Sequence, residues 1–543
     1  APLAALSFWA LAGTFTRSNA VRVAGGVMWS ALAAAMGLYH DGDLPMMVVM
    51  VFLPAAFAFT LRAVAMNLTE EPVRPEPSVQ SAALASLCFI PVIDAEPQLL
   101  LPLTVTFLAI MVLVRRHRLM LLLIPVPAAF SLAPTLVNVV GNMGAGQWRE
   151  LFADAMVAST ASAGSPRSMS LMDVIMQAFG VDLDSMSTAS GTSGTAFPES
   201  VASWIVQSPA RHAGLLISMA CIALIAVVAL LLPQVLRVSR MMWVAIVAGA
   251  ALSLVSPRIA VGLDADGAVS GSVLPGFALL CMGLLACMSM VAGTAVKRFA
   301  PLDDLHATDR GIRQSLSWPS AGRMLLTIVM ICCVGLWGWS GYARTMSAGG
   351  VTVARQGLPM VAVDYLQQDP SHRILAVQAE SSTMMDFTVM RTARGELIDN
   401  SPLVSAFVAS GRQEQSTETM ASALASLLSN SDAEAVQTLS DLGFGGIYVV
   451  ADESESTVDS AYDDLVSHIT ASEGTQNVVS GSSGTYFRLT LNDTTTQGVD
   501  VASETAMRSN GWRLAWLWCL GLIVAVYCLV ALPSARKREQ EWV

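Results

Sequence analysis

The chain has 543 residues, of which 54% are hydrophobic and only 13% charged, roughly half the charged share of a soluble domain. That composition excludes an ordinary soluble enzyme and indicates a polytopic membrane protein. The net charge of -11 sits mostly in residues 346–508, and no basic stripe interleaved with aromatics occurs, which argues against nucleic acid as a partner.

In chain order, eleven apolar segments stand out, at 1–15, 23–39, 44–61, 79–93, 99–114, 119–139, 213–232, 241–255, 273–296, 324–343 and 512–532. Several are short for a bilayer crossing. The fold class expected is a polytopic α-helical membrane protein of about eleven transmembrane helices, with a small α/β extracytoplasmic domain inserted before the last helix. Residues 1–140 would carry helices one to six, 141–212 an extracytoplasmic loop with amphipathic pieces, and 213–345 helices seven to ten. Residues 346–508 would form the α/β domain, and 509–543 the last helix with a basic cytoplasmic tail. All eight cysteines fall in apolar segments, where they act as small hydrophobes, so no disulfide framework or zinc spacing can be drawn. The opening APLAALSFWALAG has no initiator Met, basic n-region or clear cleavage site, and reads as a fragment of a longer chain.

Basic residues in short loops stay on the cytoplasmic side. The connectors at 17–22, 62–74, 115–118, 237–240 and 297–323, and the tail at 536–538, all fall on one face when the segments are counted. The other face receives 39–44, 94–98, 141–212, 257–271 and the polar block. Trp337, Trp339 and Tyr342, with Trp512, Trp516 and Trp518, sit where segments ten and eleven meet that face, as indole rings at a headgroup layer do. For Trp518, the deepest, packing between helices is an equal reading.

The loop 141–212 begins with the amphipathic QWRELFADAMV, continues through LMDVIMQAF, and ends near the Ser/Gly/Thr run STASGTSGTAFPES. Its apolar pieces are expected to lie along the membrane surface or cover the bundle, and the run to serve as a linker. In the polar block, which has no lysine or cysteine, helices are expected at 358–368, 419–430, 433–442 and 457–470. Strands are expected at 372–380, 385–390, around GGIYVV, and as a closing pair at 476–479 and 485–491.

These features resemble the carboxy-terminal half of the large actinobacterial membrane glycosyltransferases of family 2. The residues that carry the resemblance are APLAAL at the start, GLPMVAVDYL followed by HRILAV, LSDLGFGGIYVV, and GTYFRL. The resemblance implies a membrane and accessory portion acting in cell-envelope polysaccharide or glycolipid synthesis, with the nucleotide-sugar domain upstream. No region here matches that domain or its DxD-type aspartates, so the family's catalytic residues have no counterpart in this chain. No cofactor is expected in it, and a divalent metal would belong to the upstream domain. Partners would be the lipid bilayer, a lipid-linked sugar or envelope glycan, and envelope-synthesis proteins at the plasma membrane.

Candidate site residues lie in the short loops. His40, Asp41 and Asp43 place an imidazole and two carboxylates beside the membrane, where an acid can serve a sugar hydroxyl as general base or hold a divalent cation. A solvated turn explains the same residues. Arg258, Asp264 and Asp266 can contact a polar substrate, and Asp94 with Glu96 forms a further acidic turn. Arg115, Arg116 and Arg118 can grip a lipid phosphate, although a positive-inside anchor accounts for them too. His372, Asp386, His468 and Ser381–Ser382 suggest a hydrolase triad but have no G-x-S-x-G elbow, and GSSGTY lacks the order of a phosphate cradle. The alternative reading is a non-enzymatic scaffold or transporter-like protein whose outer domain binds a glycan or protein. The segment centres carry essentially no charge, which speaks against ion-coupled transport.

Overall fold

The computed structural model describes residues 1–66, 77–114, 118–153, 166–180, 209–232, 235–264, 267–295, 320–346, 358–369, 372–379, 381–390, 415–451, 459–481, 483–490 and 511–532. Every apolar segment becomes helix: α1 (Pro2–Ala12), α2 (Asn19–Ala35), α3 (Leu44–Ala63), α4 (Val79–Ala95), α5 (Leu100–Leu113), α6 (Leu119–Leu123), α7 (Val126–Ser131) and α8 (Ala133–Gly141). After the short α9 (Leu171–Ala178) come α10 (Pro209–Leu231), α11 (Leu236–Val255), α12 (Leu274–Ala295) and α13 (Ser320–Thr345). Six helices among the described residues are long and apolar enough to cross a membrane, or seven if the bent pair in α6–α8 counts as one span. That set suggests a membrane protein. The shorter helices do not pass the same test: α1, for example, would extend only about 16 Å at 1.5 Å per residue.

Helix α12 is the centre of the bundle, and its span is buried along its whole length. It packs on α11 where Gly249 and Gly276 meet, and a Cβ at Gly249 would stand 2.6 Å from the Leu280 amide. Small residues let two helix backbones approach this closely, which is how packing replaces the hydrophobic effect in lipid.

The α6–α8 segment is broken by its prolines, and α7 and α8 meet at a bend of 77°. Pro127 and Pro134 carry no N–H, so the carbonyls four residues earlier, Leu123 and Phe130, lose their helical partners. The last helix, α18 (Gly511–Ala531), replaces both donors. Trp516 Nε1 donates to Phe130 O at 3.0 Å and Tyr527 Oη to Leu123 O at 2.9 Å, while Ser86 Oγ also reaches Leu123 O at 3.5 Å. Otherwise α18 is exposed along most of its surface. Of the other aromatics expected at the headgroup layer, Trp337 behaves differently: it is fully buried, and its Nε1 donates to Ser218 Oγ at 2.9 Å. It is a packing residue inside the bundle and not an interface anchor.

Helix ends sort into two groups. At one end Thr16 meets Gly293, Ser78 N donates to Ala63 O, Gln80 Nε2 donates to Ala531 O at 2.8 Å, and Arg22 lies within electrostatic reach of Arg62. At the opposite end lie the 36–43 loop, the 310 turn Pro97–Leu99, the loop through 153, Phe179–Gly180, the start of α10, the close of α11 and the end of α13. Phe179 stacks edge-on against Phe277 at 5.9 Å and links the halves of this second group. The chain enters the polar block from this second end, here called the domain end.

The polar block is a five-stranded sheet with helices on both faces. Its elements are α14 (Met360–Gln368), β3 (Arg373–Ala379), β4 (Met385–Met390), α15 (Gln415–Ser429), α16 (Ala433–Asp441), β5 (Phe444–Val450), α17 (Asp459–Ala471), β6 (Thr475–Gly481) and β7 (Gly484–Leu489). These match the expected helices and strands closely. Strand order is β4-β3-β5-β7-β6, with β3 and β5 parallel and the other pairs antiparallel. Strand alternation splits the core. Leu375, Val377, Ile447, Val449 and Phe487 face α15, α16 and α17, while Ile374, Ala376, Tyr448 and Tyr486 face α14 alone. A hairpin absent from the sequence reading, β1 (Ala260–Asp264) with β2 (Gly267–Ser270), closes the α11–α12 turn.

Candidate functional site

Three features converge at the domain end. The first is a buried polar network where the sequence suggests a solvated turn. Glu96 is wholly buried, and Gln98 and Gln147 nearly so. Gln98 Nε2 donates to Glu96 Oε2 at 3.2 Å, and Ser256 Oγ donates to Gln98 Oε1 at 3.1 Å. From the neighbouring 310 turn Gln147–Phe152, Glu150 accepts from Asn138 Nδ2 at 2.7 Å and from Gln147 Nε2 at 3.5 Å. Arg149 lies over the Trp148 ring, 5.9 Å from its centre. The QWRELF stretch, expected to lie along the membrane surface or to cover the bundle, turns Gln147, Glu150, Leu151 and Phe152 inward. Buried carboxylates survive only with hydrogen-bond donors around them, and here the side-chain amides of Gln98, Asn138 and Gln147 donate to them while the Ser256 hydroxyl holds Gln98 in turn.

The second feature is Arg344, at the last turn of α13. Its guanidinium lies between two glycine backbones in the left-handed region, Gly37 (φ 84) and Gly180 (φ 80). A Cβ on Gly180 would fall 1.2 Å from Nη2 and one on Gly37 would fall 2.1 Å from Nη1. Only glycine accepts both the φ and the space. Asp41 Oδ2 sits 3.0 Å from that same Gly37 position, and Asp41 and Arg211 both act electrostatically on Arg344. Arg211 Nε donates to Ser340 Oγ at 3.2 Å, one turn before Arg344. The helix that leads to the α/β domain is thereby latched to the 36–43 loop and to the residues following α9.

The third feature is an open apolar trench of about 700 Å3 in the concave side of the α7–α8 elbow. Val126, Phe130, Ala133, Leu136, Val137 and Val140 are among its lining residues.

Asp43 caps α3, accepting from Met46 N at 2.9 Å, an ordinary N-cap role. Asp41 faces Arg344, and His40 is half-buried in the same turn. Arg258 and Arg118 are exposed, and Asp264 pairs by its backbone with Gly267 at the β1–β2 turn. Arg115, Arg116 and Asp266 lie outside the described residues, as does the Ser/Gly/Thr run. Asp94 accepts from Ser131 Oγ at 2.8 Å.

The residues suggestive of a triad are not brought together. His372 Nδ1 donates to Tyr365 O at 2.6 Å on the α14 side, whereas His468 Nδ1 donates to Leu427 O at 3.2 Å on the other face. Ser381 Oγ accepts from the amides of Thr383 and Met384 in a local turn. GSSGTY forms the turn between β6 and β7. Among the described residues no three His, Cys, Asp or Glu side chains gather as a metal cage.

Sequence reasoning took Glu96 for part of an acidic turn, where the structure buries it, and passed over Glu150 and Arg344. Arg344 and Arg211 did carry a signal, since they stand at the segment ends opposite the arginine-rich connectors and so run against the charge pattern of the rest of the chain. No family model, curated protein or solved structure matches this chain.

Proposed function

We propose that this chain is the membrane and accessory portion of a glycosyltransferase that builds a cell-envelope polysaccharide or glycolipid, its sugar-nucleotide domain lying in preceding sequence. In this reading about eleven helices cross the plasma membrane, and the α/β domain and the domain end face outward. One observation carries it: the buried polar network, the latched 36–43 loop and the open trench all lie at the end from which the chain enters the α/β domain. Arg22 and Arg62, from two of the arginine-rich connectors, lie at the opposite end, as the positive-inside rule requires if the domain end is outside. The resemblance of GLPMVAVDYL, LSDLGFGGIYVV and GTYFRL supplies the reaction class.

Deleting the gene and profiling envelope polysaccharides and glycolipids tests the proposal. Loss of one glycan class, restored by the intact reading frame, is the expected result. An unchanged envelope would overturn it.

A scaffold role is the second reading, favoured by Asp43 serving as a helix cap and Asp41 facing Arg344. Asp41→Asn in a complemented strain separates the two ways this loop can act. Full glycan synthesis with a stable protein removes the loop from the chemistry and leaves it as structure.

A further inference from the structure

The proline break in α6–α8 is held open. Straight helix is the inexpensive way to cross lipid, and a broken one persists only where other groups serve the freed carbonyls. Trp516 and Tyr527 of the last helix do that for Phe130 and Leu123. What the maintained bend creates is the trench, whose volume of about 700 Å3 is in the range of small-molecule sites, about 300–1,000 Å3. Its walls consist of apolar side chains and Gly141, and Val137 and Val140 are largely exposed to the surrounding medium. In a membrane that medium is hydrocarbon.

The far end of the trench decides which lipid fits. At Gly141 an added side chain would meet nothing within 4 Å, so the mouth is open. The next residue, Asn142, is exposed, and its Nδ2 donates to Asn138 Oδ1 at 2.9 Å and to Asn138 O at 3.2 Å. Asn138 in turn donates to the Glu150 carboxylate. Neutral amides backed by a carboxylate can both donate to and accept from hydroxyls, and the carboxylate repels phosphate or sulfate.

We propose that the elbow formed by α7 and α8 binds a membrane glycolipid, with its hydrocarbon chain in the trench and its uncharged, hydroxyl-rich headgroup at Asn138 and Asn142, which the buried Glu150 backs from within. The proposal rests on the membrane reading of the bundle and not on the transferase assignment. Phe130 belongs to both halves of the arrangement, because its side chain lines the trench while its carbonyl holds the last helix. The helix that follows the α/β domain in sequence is therefore fastened to the wall of the lipid site.

The test uses the full chain in nanodiscs and two diazirine-bearing lipids with the same acyl chains, a monoglucosyl diacylglycerol and a phosphatidylglycerol, with cross-links mapped by peptide mass spectrometry. The glucolipid is expected to label residues 126–141 at least fivefold more than the phospholipid. Val137→Trp, which fills the trench, should cut that labelling at least fivefold while leaving background labelling of the α10 surface unchanged. Asn142→Ala should bring the two lipids level. Equal labelling of the wild type by both lipids would mean boundary lipid only and would overturn the proposal. So would labelling of 126–141 that Val137→Trp leaves unmoved, or no labelling there because the chain itself fills the trench. A glucolipid-specific site in a protein whose deletion leaves the envelope unchanged would sink the transferase reading alone.

Discussion

Replacing Trp516 with Phe keeps an aromatic ring on α18 but removes the donor 3.0 Å from the Phe130 carbonyl. Pro134, the residue whose amide would otherwise serve that carbonyl, has no N–H to offer. An unsatisfied buried acceptor costs about 1–3 kcal/mol in a protein interior, whereas side-chain hydrogen bonds in membrane bundles average about 0.6 and reach about 1.7 kcal/mol. Trp516 is only partly buried, so we expect a loss of about 1 kcal/mol. In a Pro134→Ala background residue 134 regains an amide, α7 can continue into α8, and the Phe130 carbonyl no longer depends on Trp516. The same Trp516→Phe change should then cost less than half as much, a coupling of about 0.5–1 kcal/mol in a double-mutant cycle. Unfolding of the purified full chain in mixed micelles with rising SDS, followed by far-UV circular dichroism, measures all four variants. Equal costs in the two backgrounds would refute the idea that the last helix answers the proline break.

Further predictions concern the domain end and the sheet. Gly180→Ala should destabilise the protein even beside Arg344→Ala, because removing the guanidinium relieves the clash but leaves the left-handed φ, worth about 1–3 kcal/mol; thermal melting of the single and double variants would show it, and no residual loss would contradict it. Glu96→Ala leaves Gln98 Nε2 without its acceptor and should cost about 1–3 kcal/mol, whereas Glu96→Gln, which keeps an oxygen there, should cost less; equal melting points would count against the network. In the α/β domain, the Ser426 hydroxyl and the backbone amides of Ala435 and Glu434 hold the Asp432 carboxyl below its usual range. A depressed folded pKa means that this contribution is present above pH about 4 and lost as pH falls through the folded value. The gap in melting temperature between wild type and Asp432→Asn should therefore shrink from pH 5 to pH 3, and a constant gap would show that Asp432 does not titrate with folding.

The sequence made the α/β domain legible almost element by element, because its signals are local. Alternation in HRILAV and GGIYVV marks strands, and Gly443, at φ 90, ends α16 where the pattern stops. Apolar runs likewise located the helices, since burial in a membrane protein follows composition. What escaped depends on contacts between distant segments. Glu96 followed by proline reads as a surface turn until the 310 turn Gln147–Phe152 and Ser256 are seen to close over its neighbourhood. Trp337 looks like an interface anchor until its Ser218 partner, 119 positions earlier, is found. Residues 119–139 read as one unbroken apolar crossing, whereas the structure bends them by 77°, and nothing in the local sequence indicated that residues 516 and 527 would serve the carbonyls the prolines free.

The central claim is that the α/β domain lies outside the cytoplasm, at the end of the bundle that gathers the polar network, the latch and the trench. Residues 346–508 contain no cysteine, so a single Asn430→Cys substitution gives that domain one thiol of its own. In intact cells, labelling with a membrane-impermeant maleimide should modify Cys at this position without lysis. Labelling that appears only after the cells are opened would place the domain in the cytoplasm and contradict the account.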